Sequence, residues 1–186
     1  MGRGKIEMDV IASAIGAKAH FDVWWTLTSE ARLRFKDVMN GYPDFFNSTH
    51  DAHYIAFFIC FAQLFDKRRD ASSLATFLGL RKAELAADEF NRFVAERSAL
   101  EARAKPLLEI RHNLIAHLNA MHTEITLFST LDATWNGMRQ TIYDTATFTA
   151  ALVGGPDPGQ IGIPRDGRLN EATIRLLQSL GNESDA

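Results

Sequence analysis

A chain of 186 residues, 46% apolar and 23% charged, has the composition of one globular domain and falls outside the disordered class. A single cysteine, Cys60, excludes a disulfide framework and a thiolate metal cluster within the chain. The net charge of -3 carries no overall basic bias toward nucleic acid, yet Arg outnumbers Lys 14 to 6, and guanidinium suits two-pronged contact with phosphate or carboxylate.

The N-terminus places Lys5, Glu7 and Asp9 where a secretory signal needs apolar residues. Residues 6–39 read as helix, with a break near Thr26–Ser29 and a restart at Ser29-Glu30. Gly41-Tyr42-Pro43-Asp44 reads as a turn. A second helix is expected from Ser48, capped by that serine and answered by Asp51. From Tyr54 to Phe65 it is apolar on every side except Gln63, so it must be covered all round, by its own bundle or by a second subunit. This run is too short for a bilayer, which takes about 20 residues, so we expect a cytoplasmic protein with no membrane partner. Cys60 within it reads as a small core residue.

Asp66-Lys67-Arg68-Arg69-Asp70 is a charged corner, followed by a short helix over 71–80. A long helical stretch then runs from about Lys82 to Leu118. Its seam alternates steps of four and three: Ala86, Phe90, Phe93, Arg97, Leu100, Ala104, Leu107, Arg111, Leu114, Leu118. Pro106 should kink or divide it. Residues 123–131 alternate like a strand but have no partner strand of similar quality, so helix is expected over about 129–153. Gly154-Gly155-Pro156 ends it and opens an extended arm. Asn170 then caps a short last helix that stops at Gly181. The result is an all-α antiparallel, up-down bundle of four to five main helices over 1–153, with an arm and a short terminal helix over 154–186. The arm needs a surface to dock on, either its own bundle or a partner subunit.

Two arginines interrupt the seam. Arg97 has Glu101 one turn away as a ready partner. Arg111 stands apart, because His112, Asn113 and His117 follow within six residues. On an ideal helix Arg111 and His117 lie about 120° apart, so one subunit does not aim both at one spot. Threaded as an up-down bundle, the end of this helix lies beside the start of the helix at Ser48. That gathers His50, His53, His112, His117 and His122 at one pole, leaves His20 elsewhere, and sends the Lys67-Arg68-Arg69 corner to the opposite pole. His50 and His53 share a face, but the His-Glu-x-x-His and Glu-x-x-His patterns of metal sites are missing, so no metal and no cofactor are expected.

The run Arg111-His-Asn-Leu-Ile-Ala-His117, ending a helix in an all-helical context, resembles the Arg-x(4–6)-His signature of the HEPN superfamily (higher eukaryote and prokaryote nucleotide-binding). The segment Leu64-Phe65-Asp66-Lys67 and the short helix after it resemble its abortive-infection and toxin-type branch, and the likeness covers roughly residues 48–120, extending toward 153. The resemblance implies a metal-independent endoribonuclease of toxin or phage-defence type. In it Arg111 holds the scissile phosphate and His117 is general acid/base, with both sets facing one cleft of a homodimer. Asn113 would orient the phosphate or His117, and His112 stands where the family more often has Asn or Asp, so both are candidate substrate-binding residues. RNA, a nucleotide or an antitoxin protein are the partners implied. The alternatives are a non-catalytic nucleotide- or protein-binding HEPN-like module, and a structural bundle whose Arg111 and His117 pair with acids.

Overall fold

The structure is a computed structural model that describes residues 2–116, 134–155 and 157–184. The described residues are helical: α1 (Arg3–Thr28), α2 (Glu30–Arg34), α3 (Lys36–Gly41), α4 (Pro43–Leu64), α5 (Leu74–Arg81), α6 (Ala87–Ile110), a π-helical turn (Arg111–Ala116), α7 (Trp135–Val153), a 3₁₀ turn (Pro158–Ile161) and α8 (Arg168–Ser184). No helix among them is long and apolar enough to cross a membrane. The residues expected to alternate over 123–131 lie outside the described residues, as do His117 and His122.

The first expected helix is broken at Ser29, where ψ of -129° leaves the helical region, and again at Phe35. The next helix starts five residues earlier than Ser48. Pro43 takes its first position, where a missing N–H costs nothing and a fixed φ helps, and this outweighs the capping pattern at Ser48. α5 is capped by Ser73 and α7 by Thr134, whose hydroxyl accepts from the Gly137 amide at 3.1 Å. The long helix begins at Ala87, with residues 82–86 outside it, and it runs through Pro106 undivided. Gly154 closes α7 in the left-handed region, φ 88°, which glycine adopts without strain. α8 begins at Arg168 and runs past Gly181 to Ser184, so Asn170 lies inside it and is not its cap.

α1 is the central element. It pairs antiparallel with α4: Trp24 meets His50, His20 meets His53, and Gly16 meets Cys60. It pairs antiparallel with α7 too, from Lys18 over the Tyr143 ring to Trp24 against Trp135. α6 packs antiparallel on α7, with Phe93 against Phe148 at one end and Arg103 bonded to Asp144 further on. The main core joins Phe21 and Trp24 of α1, Phe57 and Phe61 of α4, Leu107 of α6 and Ile142 of α7, all at most 2% exposed. Each such side chain contributes roughly 1.5–3 kcal/mol. α4 is covered on its Phe57, Phe58, Phe61 and Leu64 face only. Ile55 and Ile59 remain 43% and 48% exposed, so the described residues do not cover the helix all round.

The arm docks on its own bundle. Ile163 and Leu177 are buried, the latter in a second cluster with Leu27, Ala31 and Phe46. A buried polar clasp fixes the join: Lys18 Nζ lies 2.8 Å from Asp22 and 3.1 Å from Asp166 of the arm, while Tyr143 donates to Asp22 at 2.9 Å. Asn170 donates to the Thr26 hydroxyl at 2.6 Å. Burial pushes the Asp22 carboxyl upward against the pull of Lys18, and burial beside Asp22 pushes the Tyr143 phenol up to about 12. These charges are paired and bonded, as desolvated ions must be.

Candidate active site at the end of α6

Four seam positions of α6, Phe93, Leu100, Ala104 and Leu107, are buried, and Arg97 bonds Glu101 at 3.0 Å as expected for a seam-edge pair. The seam then reaches Arg111 where the helix changes character. Residues 111–116 form a π turn, which takes an extra residue per turn and is found often at functional sites. The angular estimate from an ideal α-helix therefore does not carry from Arg111 to His117. Within that turn the Asn113 side chain folds back on the helix. It donates from Nδ2 to the Glu109 carbonyl at 2.9 Å. That hydrogen is committed to the backbone and is unavailable to a phosphate.

Arg111 lines a cavity of about 630 Å³ with His112. The other walls come from the N-terminal turns of α1 (Lys5, Asp9), the end of α4 (Ile59, Gln63) and the following corner (Asp66, Arg68, Ser72). Arg111 Nε is buried with no hydrogen-bond partner among the described residues. Such an orphan donor costs about 1–3 kcal/mol or more, since it belongs to a charged group, and is the kind of group a bound anion satisfies. Two of the carboxylates around it are already engaged. Asp9 takes Lys5 at 2.7 Å and the Ser72 hydroxyl at 2.6 Å, and Asp66 is bridged by the Arg68 guanidinium and backbone amide at 2.9–3.2 Å. The hydrogen bonds from Lys5 and Ser72 hold the Asp9 carboxyl below its usual range. Arg68, and more weakly the charge of Arg111, does the same to Asp66.

Among the described residues, the histidines expected at one pole do not gather here. His50 lies at the other end of α4, where its Nε2 meets Trp24 Nε1 at 3.0 Å and Thr28 Oγ1 at 3.1 Å and its Nδ1 meets Asp51. His53 bonds His20 ring to ring at 2.9 Å, so His20 belongs to that group, while His112 belongs to the cavity. Arg68, expected at the opposite pole from Arg111, shares its cavity. The reason is the path of α6. Lys67, just beyond α4, bonds Glu101 in the middle of α6 at 2.8 Å. α6 therefore passes the C-terminal end of α4 instead of running back along it, and its last turn stays with the charged corner. Lys5, Asp9, Gln63 and Ser72 were not singled out from the sequence. The i,i+4 spacing of Lys5 and Asp9 suits a surface ion pair and carries no sign of what that pair faces.

Among the described residues no three His, Cys, Asp or Glu side chains are grouped so as to hold a metal ion. Burial pushes the Cys60 thiol up, away from the reactive thiolate. No curated protein and no solved structure matches the chain. The profile of the AbiU2 family, a HEPN family, matches residues 8–153, from the second turn of α1 to the last residue of α7. The chain belongs to the AbiU2 family of HEPN abortive-infection proteins.

Proposed function

We propose that this protein is a metal-independent endoribonuclease of toxin or phage-defence type, acting as a cytoplasmic homodimer. Arg111 holds the scissile phosphate. His117 moves the proton, as base toward the 2′-hydroxyl or as acid toward the leaving oxygen, which suits a group whose ordinary pKa is about 6.5. The observation that carries the reading is the buried, unpartnered Arg111 Nε beside an open cavity, on the π turn that leads to His117. His112 and Gln63 line the same cavity and can bond RNA at its edge. The exposed Ile55 and Ile59 of α4, with Ile59 on the cavity wall, support a second copy seated against this face. An antitoxin protein is a further partner in this reading.

The test is cleavage of single-stranded RNA by the purified protein in EDTA. Wild type cuts. Arg111→Ala and His117→Ala each lose about 10²–10³-fold or more in rate, the scale of removing a transition-state donor or a positioned proton carrier. Intact RNA after long incubation with wild type, or wild-type cutting by His117→Ala, would overturn it. A second reading, a HEPN module that binds a nucleotide without cutting, is favoured by one feature: Asp9, Asp66 and Asp70 share the cavity with Arg111 and oppose a polyanion. Thermal stabilisation by nucleotides together with inert RNA would select it.

A further inference from the structure

The groove between α2, α3 and the start of α4 takes no part in the site above. It encloses about 570 Å³. Leu33, Met39 and Phe46 form its apolar walls, and Arg32 and Lys36 its basic ones. No described residue of the lining is a carboxylate, and Asp37 and Asp44, on the same helices, lie outside it. Arg32 and Lys36 pair with no described acidic side chain. This is the reverse of the Arg111 cavity, where Lys5 and Arg68 each face their own carboxylate.

The apolar side is as unusual as the charge. Leu33 is 86% exposed beside Arg32, on a five-residue helix set off by breaks at Ser29 and Phe35. Tyr42 and Phe45, at the junction of α3 and α4, are 48% and 57% exposed. Arginine, methionine and aromatic side chains are enriched at the centres of protein interfaces, and Arg32, Met39 and Phe46 line this groove. A bare polyanion would satisfy Arg32 and Lys36 but leave Leu33 in water. A purely apolar cover would bury the two cations without counter-charge, which costs more than the apolar contact returns. An extended or helical segment with acids flanking apolar anchors meets both demands.

We infer that the groove lined by Arg32, Leu33, Lys36 and Phe46 is a docking site for an acidic, amphipathic segment of a partner protein, separate from the Arg111 cavity. The probe is a short fluorescein-labelled peptide with leucine on one helical face and glutamate on the other, titrated by anisotropy against the full chain. Saturable binding is expected. It should weaken by about tenfold or more in Leu33→Asp and in Arg32→Glu/Lys36→Glu, and in a probe with glutamine for glutamate, while Arg111→Ala binds as wild type does. Leu33 is largely exposed, so its variant keeps the fold, and a thermal melt checks this. Absence of saturable binding overturns the inference. So does full binding by Leu33→Asp with displacement by tripolyphosphate, which marks a plain anion site. Sedimentation showing that Leu33→Asp splits a dimer of this chain overturns it too, since the occupant is then a second copy.

Discussion

The two ends of α4 are both polar, and they are built on opposite terms. At the N-terminal end, His50 is held from three sides by Trp24, Thr28 and Asp51, and His20 and His53 hold each other. At the C-terminal end, Arg111 keeps a buried donor with no described partner beside an open cavity. Both ends are rich in residue types that do chemistry. Only the C-terminal end has a buried side-chain donor with no described partner. Satisfied polar groups specify a fold, and unsatisfied ones ask for a ligand. The histidine end is therefore part of the framework, and substitutions at the two ends should separate stability from activity.

The largest expected effect is on the framework. Trp24 is 2% exposed and touches Phe21, Tyr54, Phe57 and Trp135 as well as His50. Trp24→Ala should cost about 3–5 kcal/mol in urea unfolding. Arg111→Ala should leave stability within about 1 kcal/mol of wild type while RNA cleavage falls, because it removes a donor that had no partner to lose. An Arg111→Ala protein that unfolds like Trp24→Ala would put Arg111 in the framework too and dissolve the distinction.

Next in size is the contact that lets α1 and α4 approach. A Cβ built on Gly16 would come within 2.7 Å of Cys60 Sγ, closer than real Cβ contacts. Gly16→Ala should cost about 1–3 kcal/mol by overpacking. In a Cys60→Ala background the same change should become neutral or stabilise by up to about 1 kcal/mol, since alanine is the better helix former. Chemical denaturation of the four proteins of this cycle measures the coupling, and additive costs would show that the crowding is relieved elsewhere.

The fold class was legible in the sequence because helical periodicity is local. The stops were legible too: Ser29, the corner at 66–70, and Gly154 each break the backbone where the residue types predict. The seam of α6 named Arg111 as an anomaly, and the orphan Nε is the structural form of that anomaly. What could not be read was the path between helices. The up-down threading treated α6 as a simple return along α4, whereas the corner and α5 carry it across the end of α4, as the Lys67–Glu101 bond shows. That crossing separates His50 and His53 from His112, which the threading had put at one pole. Helix starts failed for a related reason: Ser48 has the side chain of a cap, but Pro43 already meets the requirement one turn earlier. Asn170 likewise looked like a cap and is a tether to Thr26, a role set by a residue distant in sequence.

The smallest effect tests the histidine end through pH. Burial lowers the affinity of His20 for a proton, and burial together with the charge of His20 does the same to His53. A histidine with a depressed folded pKa favours the neutral form in the native state. Its contribution is complete above the unfolded value of about 6.5 and is lost as pH falls from there through the lower folded value. The ring-to-ring bond adds to this, because it needs one neutral nitrogen as acceptor. Urea midpoints should therefore be flat from pH 8 to 7 and decline toward pH 5. In His20→Gln/His53→Gln the decline should shrink. A decline that survives the double substitution would mean that other groups carry it, and that the His20–His53 bond adds nothing to the framework that titrates.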